Sequence, residues 1–132
     1  MYKNKYNKRA IWHNLELLAG EYLIENDLEI IEYNYFNRTG EIDIVAKDGM
    51  YIVFVEVKYR SGSSYGTAVE AVNVRKQKTI RRIAEGYLME RGLRQDSFVR
   101  FDVIAIDGTT DLNIKWIKNA FWSIKGVIWA NQ

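Results

Sequence analysis

Residues 40–60 read GEIDIVAKDGMYIVFVEVKYR. Apolar and charged residues alternate from Glu41 to Lys47, Asp48-Gly49 is a hairpin signal, and residues 50–58 are dense in β-branched and aromatic side chains. The stretch predicts two antiparallel strands. Side chains alternate faces along a strand, so Glu56 and Lys58 project from one side while Val53, Val55 and Val57 take the other. On the preceding strand Glu41 and Asp43 are expected on one face and Ile42 and Ile44 on the other. The hairpin then brings Asp43 beside Glu56, and two carboxylates and a lysine converge at the end of adjacent strands.

That convergence has a chemical meaning. Two carboxylates held together raise each other's pKa unless a cation joins them. A divalent metal would join them, polarise a phosphate oxygen and lower the pKa of a bound water. Lys58 would then hold the attacking water or stabilise charge developing on the phosphorane. Alternating charged and apolar residues are also the ordinary pattern of a half-exposed antiparallel sheet. Glu56, however, follows Ile-Val-Phe-Val in the most hydrophobic strand of the chain, and an acid there needs a partner.

Outward from this hairpin, residues 10–26 place Ile11, Leu15, Leu18, Ala19, Tyr22 and Leu23 at helical spacing. Residues 28–36 read as another strand, turning at Arg38-Thr39-Gly40. Residues 61–67, SGSSYGT, read as a loop. Asn73 suits a helix N-cap and Gly92 a helix stop. Between them Ile80, Ile83, Ala84, Tyr87 and Leu88 form an apolar stripe. Residues 98–106 and 112–118 read as two further strands around a turn at Asp107-Gly108. The order helix, three strands, helix, two strands predicts an α/β fold with a central mixed five-stranded sheet flanked by helices.

Composition narrows the chemistry. The 132 residues suit a single domain spanning 1–132, with a basic N-terminal arm at 1–9 and an aromatic extension at 122–132. No apolar run approaches a membrane span, and the start, MYKNKYNKRA, has no apolar signal core behind it, so a cytoplasmic protein with no membrane partner is expected. There is no cysteine and one histidine, which excludes thiol nucleophiles, Cys-based zinc and His-rich metal sites. His13 would have to serve any Ser-His-Asp triad, and reads instead as a helix-start or surface residue. A metal here should be hard and oxygen-bound, Mg2+ or Mn2+. The net charge of +2 hides strong segregation. Residues 1–9 carry four bases and no acid, residues 14–56 ten acids and two bases, and residues 57–100 ten bases and four acids. A basic surface beside an acidic pocket suits an enzyme acting on a polyanion.

In order along the chain stand Glu16, Ala19 and Tyr22-Leu23, then Asn34, Gly40-Glu41-Ile42-Asp43-Ile44, and Phe54-Val55-Glu56-Val57-Lys58 with Arg60 close behind. Gly66, Glu70-Ala71-Val72, Lys76-Gln77, Arg100-Phe101-Asp102-Val103 and Asn119-Ala120-Phe121 follow. This ordered set, over about residues 15–121, resembles the YraN family of small bacterial predicted endonucleases, within the PD-(D/E)xK nuclease superfamily. Three features depart from the pattern. Ile42-Asp43 stands where the superfamily has Pro-Asp, Leu15 where the family usually has Gly, and residues 122–132 run past the usual end.

The resemblance implies a restriction-endonuclease-like fold and metal-dependent phosphodiester hydrolysis. By position it implies Asp43 and Glu56 as metal ligands, Lys58 as the catalytic lysine, and Glu16 reaching the site from the first helix directly or through a water, as in the similar archaeal Holliday-junction resolvases. Glu41, Arg60 and Gln77 are implied as supporting or substrate-positioning residues. Within that reading, Arg75, Lys76, Lys78 and Arg82 on the second helix would bind nucleic acid, as would Lys3, Lys5, Lys8 and Arg9 at the start. The same residues also suit a solvated face and a free tail. Trp116, Phe121, Trp122 and Trp129 read as core or interface, and the aromatic tail could cover a sheet edge or form a homodimer. Asp102 reads as structural. The expectation is a Mg2+-dependent DNA endonuclease acting on branched or junction DNA in recombination or repair. The alternatives are a nucleic-acid-binding module supporting a helicase or repair partner, and a dimeric scaffold.

Overall fold

A computed structural model describes residues 5–60 and 74–121, with side chains from Arg9 onward. The order is α1 (Lys5–Glu25), β1 (Glu29–Asn37), β2 (Gly40–Asp48), β3 (Tyr51–Arg60), α2 (Val74–Glu90), β4 (Val99–Asp107) and β5 (Asn113–Ile117). The loop expected at 61–67, the Asn73 cap and the tail at 122–132 lie outside the described residues. Helix α1 begins at Lys5, five residues before the apolar periodicity places it. Residues 9–14 are exposed, so nothing beneath them requires an apolar stripe.

The five strands form one sheet in the order β1-β2-β3-β4-β5. β1, β2 and β3 make an antiparallel meander, β3 and β4 run parallel, and β5 returns antiparallel on β4. Helix α2 supplies the crossover between the parallel pair. This is the mixed sheet between two helices of a restriction-endonuclease-like fold. The β2–β3 turn forms where Asp48-Gly49 predicts it, with Asp48 paired to Tyr51 and Gly49 at φ 63°.

Each face of the sheet carries its own core. On one face Leu15, Ala19 and Leu23 of α1 pack on Ile44, Ala46, Val53, Val55, Val57, Ile104 and Ile106. On the other, Ile80, Ile83, Ala84, Tyr87 and Leu88 of α2 pack on Ile42, Val45, Phe54, Val99, Phe101 and Val103. Strands β3 and β4 are covered on both sides, which explains their nearly unbroken apolar sequence.

One expectation needs correction. Ile42 and Ile44 lie on opposite faces of the sheet, not the same one. Their partners show the same split: Tyr33, opposite Ile44, packs on the α1 side, and Tyr35, opposite Ile42, on the α2 side. Both strands therefore change face at the position between these pairs, occupied by Asn34 and Asp43. Asn34 has φ 54°, a left-handed conformation that asparagine tolerates better than most residues. It breaks the alternation on which the face assignment of Glu41 and Asp43 rested.

The Arg-Phe-Asp-Val segment is a clamp. Arg100 makes two bonds to Asp102, at 3.0 and 2.9 Å, and one to Asp48 beside the β2–β3 turn, at 2.9 Å. Asp102 also accepts from the Trp116 indole and the Asn119 N–H, each at 2.9 Å. Asp102 is 1% exposed, so its structural reading stands. Phe101 and Phe121 stack at 5.0 Å. Replacing one member of a buried charge pair strands the other. Asp102→Ala is expected to lose about 3–5 kcal/mol in urea unfolding, and the double variant Arg100→Met/Asp102→Leu to recover only the part owed to the stranded Arg100 charge, since the Trp116 indole and the Asn119 N–H still lose their acceptor. A loss below about 1 kcal/mol in the single variant would show that the clamp carries no such load.

Candidate active site

The β2–β3 ladder stops at Ile44↔Val55. At the next position the strands part, and the Val57 N–H donates to Asp43 Oδ2 at 2.8 Å instead of to a strand carbonyl. Asp43 is half-buried at this fork. Burial pushes its carboxyl up to about 7, with Glu56 the next contributor and Glu16 and Glu41 adding to it, while the Val57 N–H pulls the other way. Three carboxylates thus act on Asp43, and they come from three elements.

Glu56 lies on the α2 side of β3 and is 8% exposed. Its Oε2 takes Lys58 Nζ at 3.7 Å and Lys76 Nζ, from the first turn of α2, at 3.1 Å. The expected Glu56/Lys58 face is therefore formed. Lys76, expected on nucleic acid, instead reaches Glu56. Glu16 lies on α1, on the other side of the sheet, and is 3% exposed. The Trp12 indole N–H donates to its Oε2 at 2.7 Å, and the Asn34 amide to its Oε1 at 3.1 Å.

The structure thus brings Asp43 into the influence of Glu56, Glu16 and Glu41, with Lys58 and Lys76 on Glu56. Glu41 is exposed, and Arg60 and Gln77 are half-buried near the same strand end and helix start. Arg75, Lys78 and Arg82 are exposed along α2, as is Arg9 on α1. Lys5 and Lys8 fall within α1, and their side chains and Lys3 lie outside the described residues. His13 is exposed. Sequence reasoning gave no site role to Asn34 or Trp12. An asparagine inside the β-rich run Glu-Tyr-Asn-Tyr-Phe was the available signal for the first. The second stands four residues before Glu16, one helical turn away.

The donor set is oxygen-only and surplus in negative charge, which suits a hard divalent ion. Asp43 and Glu56 fit it as a pair. Among the described residues no three acidic or imidazole groups are gathered to hold an ion unaided. Glu16, already bonded to Trp12 and Asn34, fits a role through water better than direct ligation. The best-formed described cavity, about 520 Å3, lies elsewhere, at the hairpin end between Ile52, Tyr87, Leu93 and Phe98. Its loop charges Arg94 and Asp96 bond each other at 2.8 Å, leaving little polar chemistry to converge on a ligand. A polymer backbone needs an open surface, and the carboxylate fork is the better candidate.

Comparison with known proteins gives the family. The family described as Uncharacterised protein family UPF0102 matches residues 15–106. The chain belongs to this family. A UPF0102 protein of Aliivibrio salmonicida is 44% identical over 119 residues, covering 89% of this chain and 96% of that one. A UPF0102 protein of Acetivibrio thermocellus is 46% identical over 125 residues, covering 89% and 95%. One from Clostridium botulinum is 42% identical over 109 residues, covering 80% and 89%. The YraN resemblance and the UPF0102 match name the same family. The matched span holds Glu16, Asp43, Glu56, Lys58 and Lys76. Among the described residues no helix is long and apolar enough to cross a membrane.

The raised Asp43 carboxyl has a consequence for stability. The folded chain retains a proton at Asp43 that the unfolded chain releases above about pH 4. The folded state binds more protons in that window, so this group's contribution falls as pH rises from about 4 to about 7 and then levels off. Asp43→Asn keeps an oxygen for the Val57 N–H and removes the charge. In EDTA it is expected to be more stable than the parent at pH 8, by about 2 kcal/mol after allowing for partial solvation. The gap should close near pH 4. Thermal melts across that range check it, and an Asn variant no more stable at pH 8 would mean that the charge is not disfavoured there.

Proposed function

We propose that this protein is a metal-dependent endonuclease that hydrolyses phosphodiester bonds in DNA, selective for branched or junction structure. The observation that carries the reading is the fork at Asp43. A carboxyl pushed up to about 7 by burial first and by neighbouring carboxylates second, beside a Glu-Val-Lys strand end, is an unfinished charge arrangement that a divalent cation and a phosphate would complete. Asp43 and Glu56 would hold Mg2+ or Mn2+, with Glu16 behind them through water. The ion, when bound, supplies polarisation of the scissile phosphate and acidity for the attacking water.

The chain's own residues do the rest. Lys58 Nζ stands close enough to Glu56 to be oriented by it, and its remaining N–H bonds would donate to the attacking water or to the non-bridging oxygens of the phosphorane. Asp43 must release its proton before it can serve as a ligand. The Val57 N–H keeps the Asp43 carboxyl aimed into the fork. The exposed Arg75, Lys78 and Arg82 give α2 a row of cations for the phosphate backbone. A homodimer would place two such sites on two strands.

A second reading has its own support. Lys76 already pairs with Glu56, and among the described residues the acids are not gathered as a three-ligand group. That suits a nucleic-acid-binding module that assists a helicase or repair partner.

The two readings separate in one experiment. Duplex, single-stranded, flap, fork and four-way-junction DNA are incubated with Mg2+, Mn2+ or EDTA and the parent, Asp43→Ala or Lys58→Ala protein. The nuclease reading expects metal-dependent cutting, fastest on branched DNA, reduced at least about a hundredfold in either variant with binding nearly intact. Salt-sensitive binding to junctions with no cutting under any metal supports the binding module instead. Absence of both removes nucleic acid from the account.

A further inference from the structure

Helix α1 overhangs the sheet at the carboxylate fork. Its sheet-facing side carries Leu15, Ala19 and Leu23, all buried. Steps of three and four residues continue that side back to Trp12, yet Trp12 is 37% exposed. A large aromatic therefore stands on the core-facing side of the helix where the core has run out. Its single polar atom is engaged, since the indole N–H bonds the buried Glu16 carboxylate at 2.7 Å. Asn34 fixes the other oxygen of that carboxylate. The ring is thus tethered at its polar edge, at the rim of the site, with apolar surface left in solvent. Arg9, three residues earlier, is exposed on the neighbouring surface.

We propose that Trp12 is a stacking platform for an unpaired nucleobase, with Arg9 meeting a phosphate of the same strand. The proposal rests on the nucleic-acid reading above and names the feature of the substrate that is recognised. An indole with its N–H already satisfied offers a ligand mainly its apolar body, and every nucleobase has a face that fits it. A base inside a duplex has both faces covered by its neighbours, whereas a base at a branch point or in a single strand has one free. The platform therefore converts strand structure into affinity without reading sequence. Its link to Glu16 also couples a stacked base to the carboxylate side of the fork.

The test uses the full chain in EDTA, so that no strand is cut, with oligo(dT), a fork and a blunt duplex, read by anisotropy. Trp12→Leu keeps an apolar side chain and is expected to weaken oligo(dT) and fork binding about tenfold while duplex affinity moves less than about twofold. Trp12→Phe keeps a stacking face and is expected to retain oligo(dT) binding within about threefold. Tryptophan emission, quenched when the parent binds oligo(dT), should lose most of that quenching in Trp12→Phe. Equal affinity of parent and Trp12→Leu for single strands overturns the platform and leaves the nuclease reading standing. An equal loss on duplex overturns it as well. A parent protein with no salt-dependent DNA binding overturns both. Should Trp12→Leu not fold, the Phe variant decides: undiminished quenching places the contact on another tryptophan and ends the proposal.

Discussion

The bond from the Val57 N–H to Asp43 is where this fold becomes a site. Below it, β2 and β3 are an ordinary antiparallel pair, closed by a two-residue turn and buried on both faces. Above it the ladder is gone and a side chain does the work of a strand. A carboxylate that satisfies a backbone donor on the next strand cannot turn freely toward solvent. That restraint holds an acid in a partly desolvated fork, where its charge is disfavoured. The left-handed Asn34 belongs to the same device. By switching the face of β1 and β2 together, it puts Ile42 in the α2 core and Ile44 in the α1 core, and leaves Asp43 between them.

The electrostatics then follow from which faces are in reach. Glu56 and Lys58 come from the α2 side, and Lys76 meets Glu56 there. Glu16 comes from the α1 side, neutral hydrogen-bond donors taking the place of a cation. Asp43 responds to both sides. Glu56 and Glu16 therefore have compensation within the chain, whereas Asp43 has a single backbone N–H against burial and three acids.

Much of this was legible in the sequence, for identifiable reasons. The hairpin was visible because Asp48-Gly49 interrupts two period-two patterns, and the helices because Leu15, Ala19, Leu23 and Ile80, Ile83, Ala84 recur at helical spacing. Glu56 stood out as an acid in an otherwise apolar strand. The face of Asp43 was not legible, because a period-two rule has no term for one residue of positive φ. The early start of α1 was hidden because an overhanging helix buries no stripe. Lys76 was read with its basic neighbours because charge runs do not reveal which member of the first helical turn faces inward. Trp12 and Asn34 went without a role because neither is acidic, basic or part of a metal-ligand pattern, and their part is to hold Glu16.

The same geometry explains the charge blocks along the chain. From the acid-rich stretch, Glu16, Glu41, Asp43 and Glu56 come together at the fork, while Glu21, Glu25, Asp27 and Glu29 are exposed and Asp48 pairs with Arg100 at the hairpin turn. Several of the bases that precede and follow this stretch are exposed on the two helices, Arg9 on α1 and Arg75, Lys78 and Arg82 on α2. Glu16 from the middle of α1 and Lys76 from the first turn of α2 each act at the fork. A polyanion approaching the fork meets cations on either flank and repulsion in the centre. On the proposed function, such a surface would attract a phosphate backbone at a distance and resist its final approach, so that the flanks would govern encounter and the acidic centre whether contact is completed. Separating those two functions on different elements allows binding to persist when the centre is altered. The flanking cations would then sense the phosphate backbone generally, and the fork alone would decide its chemistry.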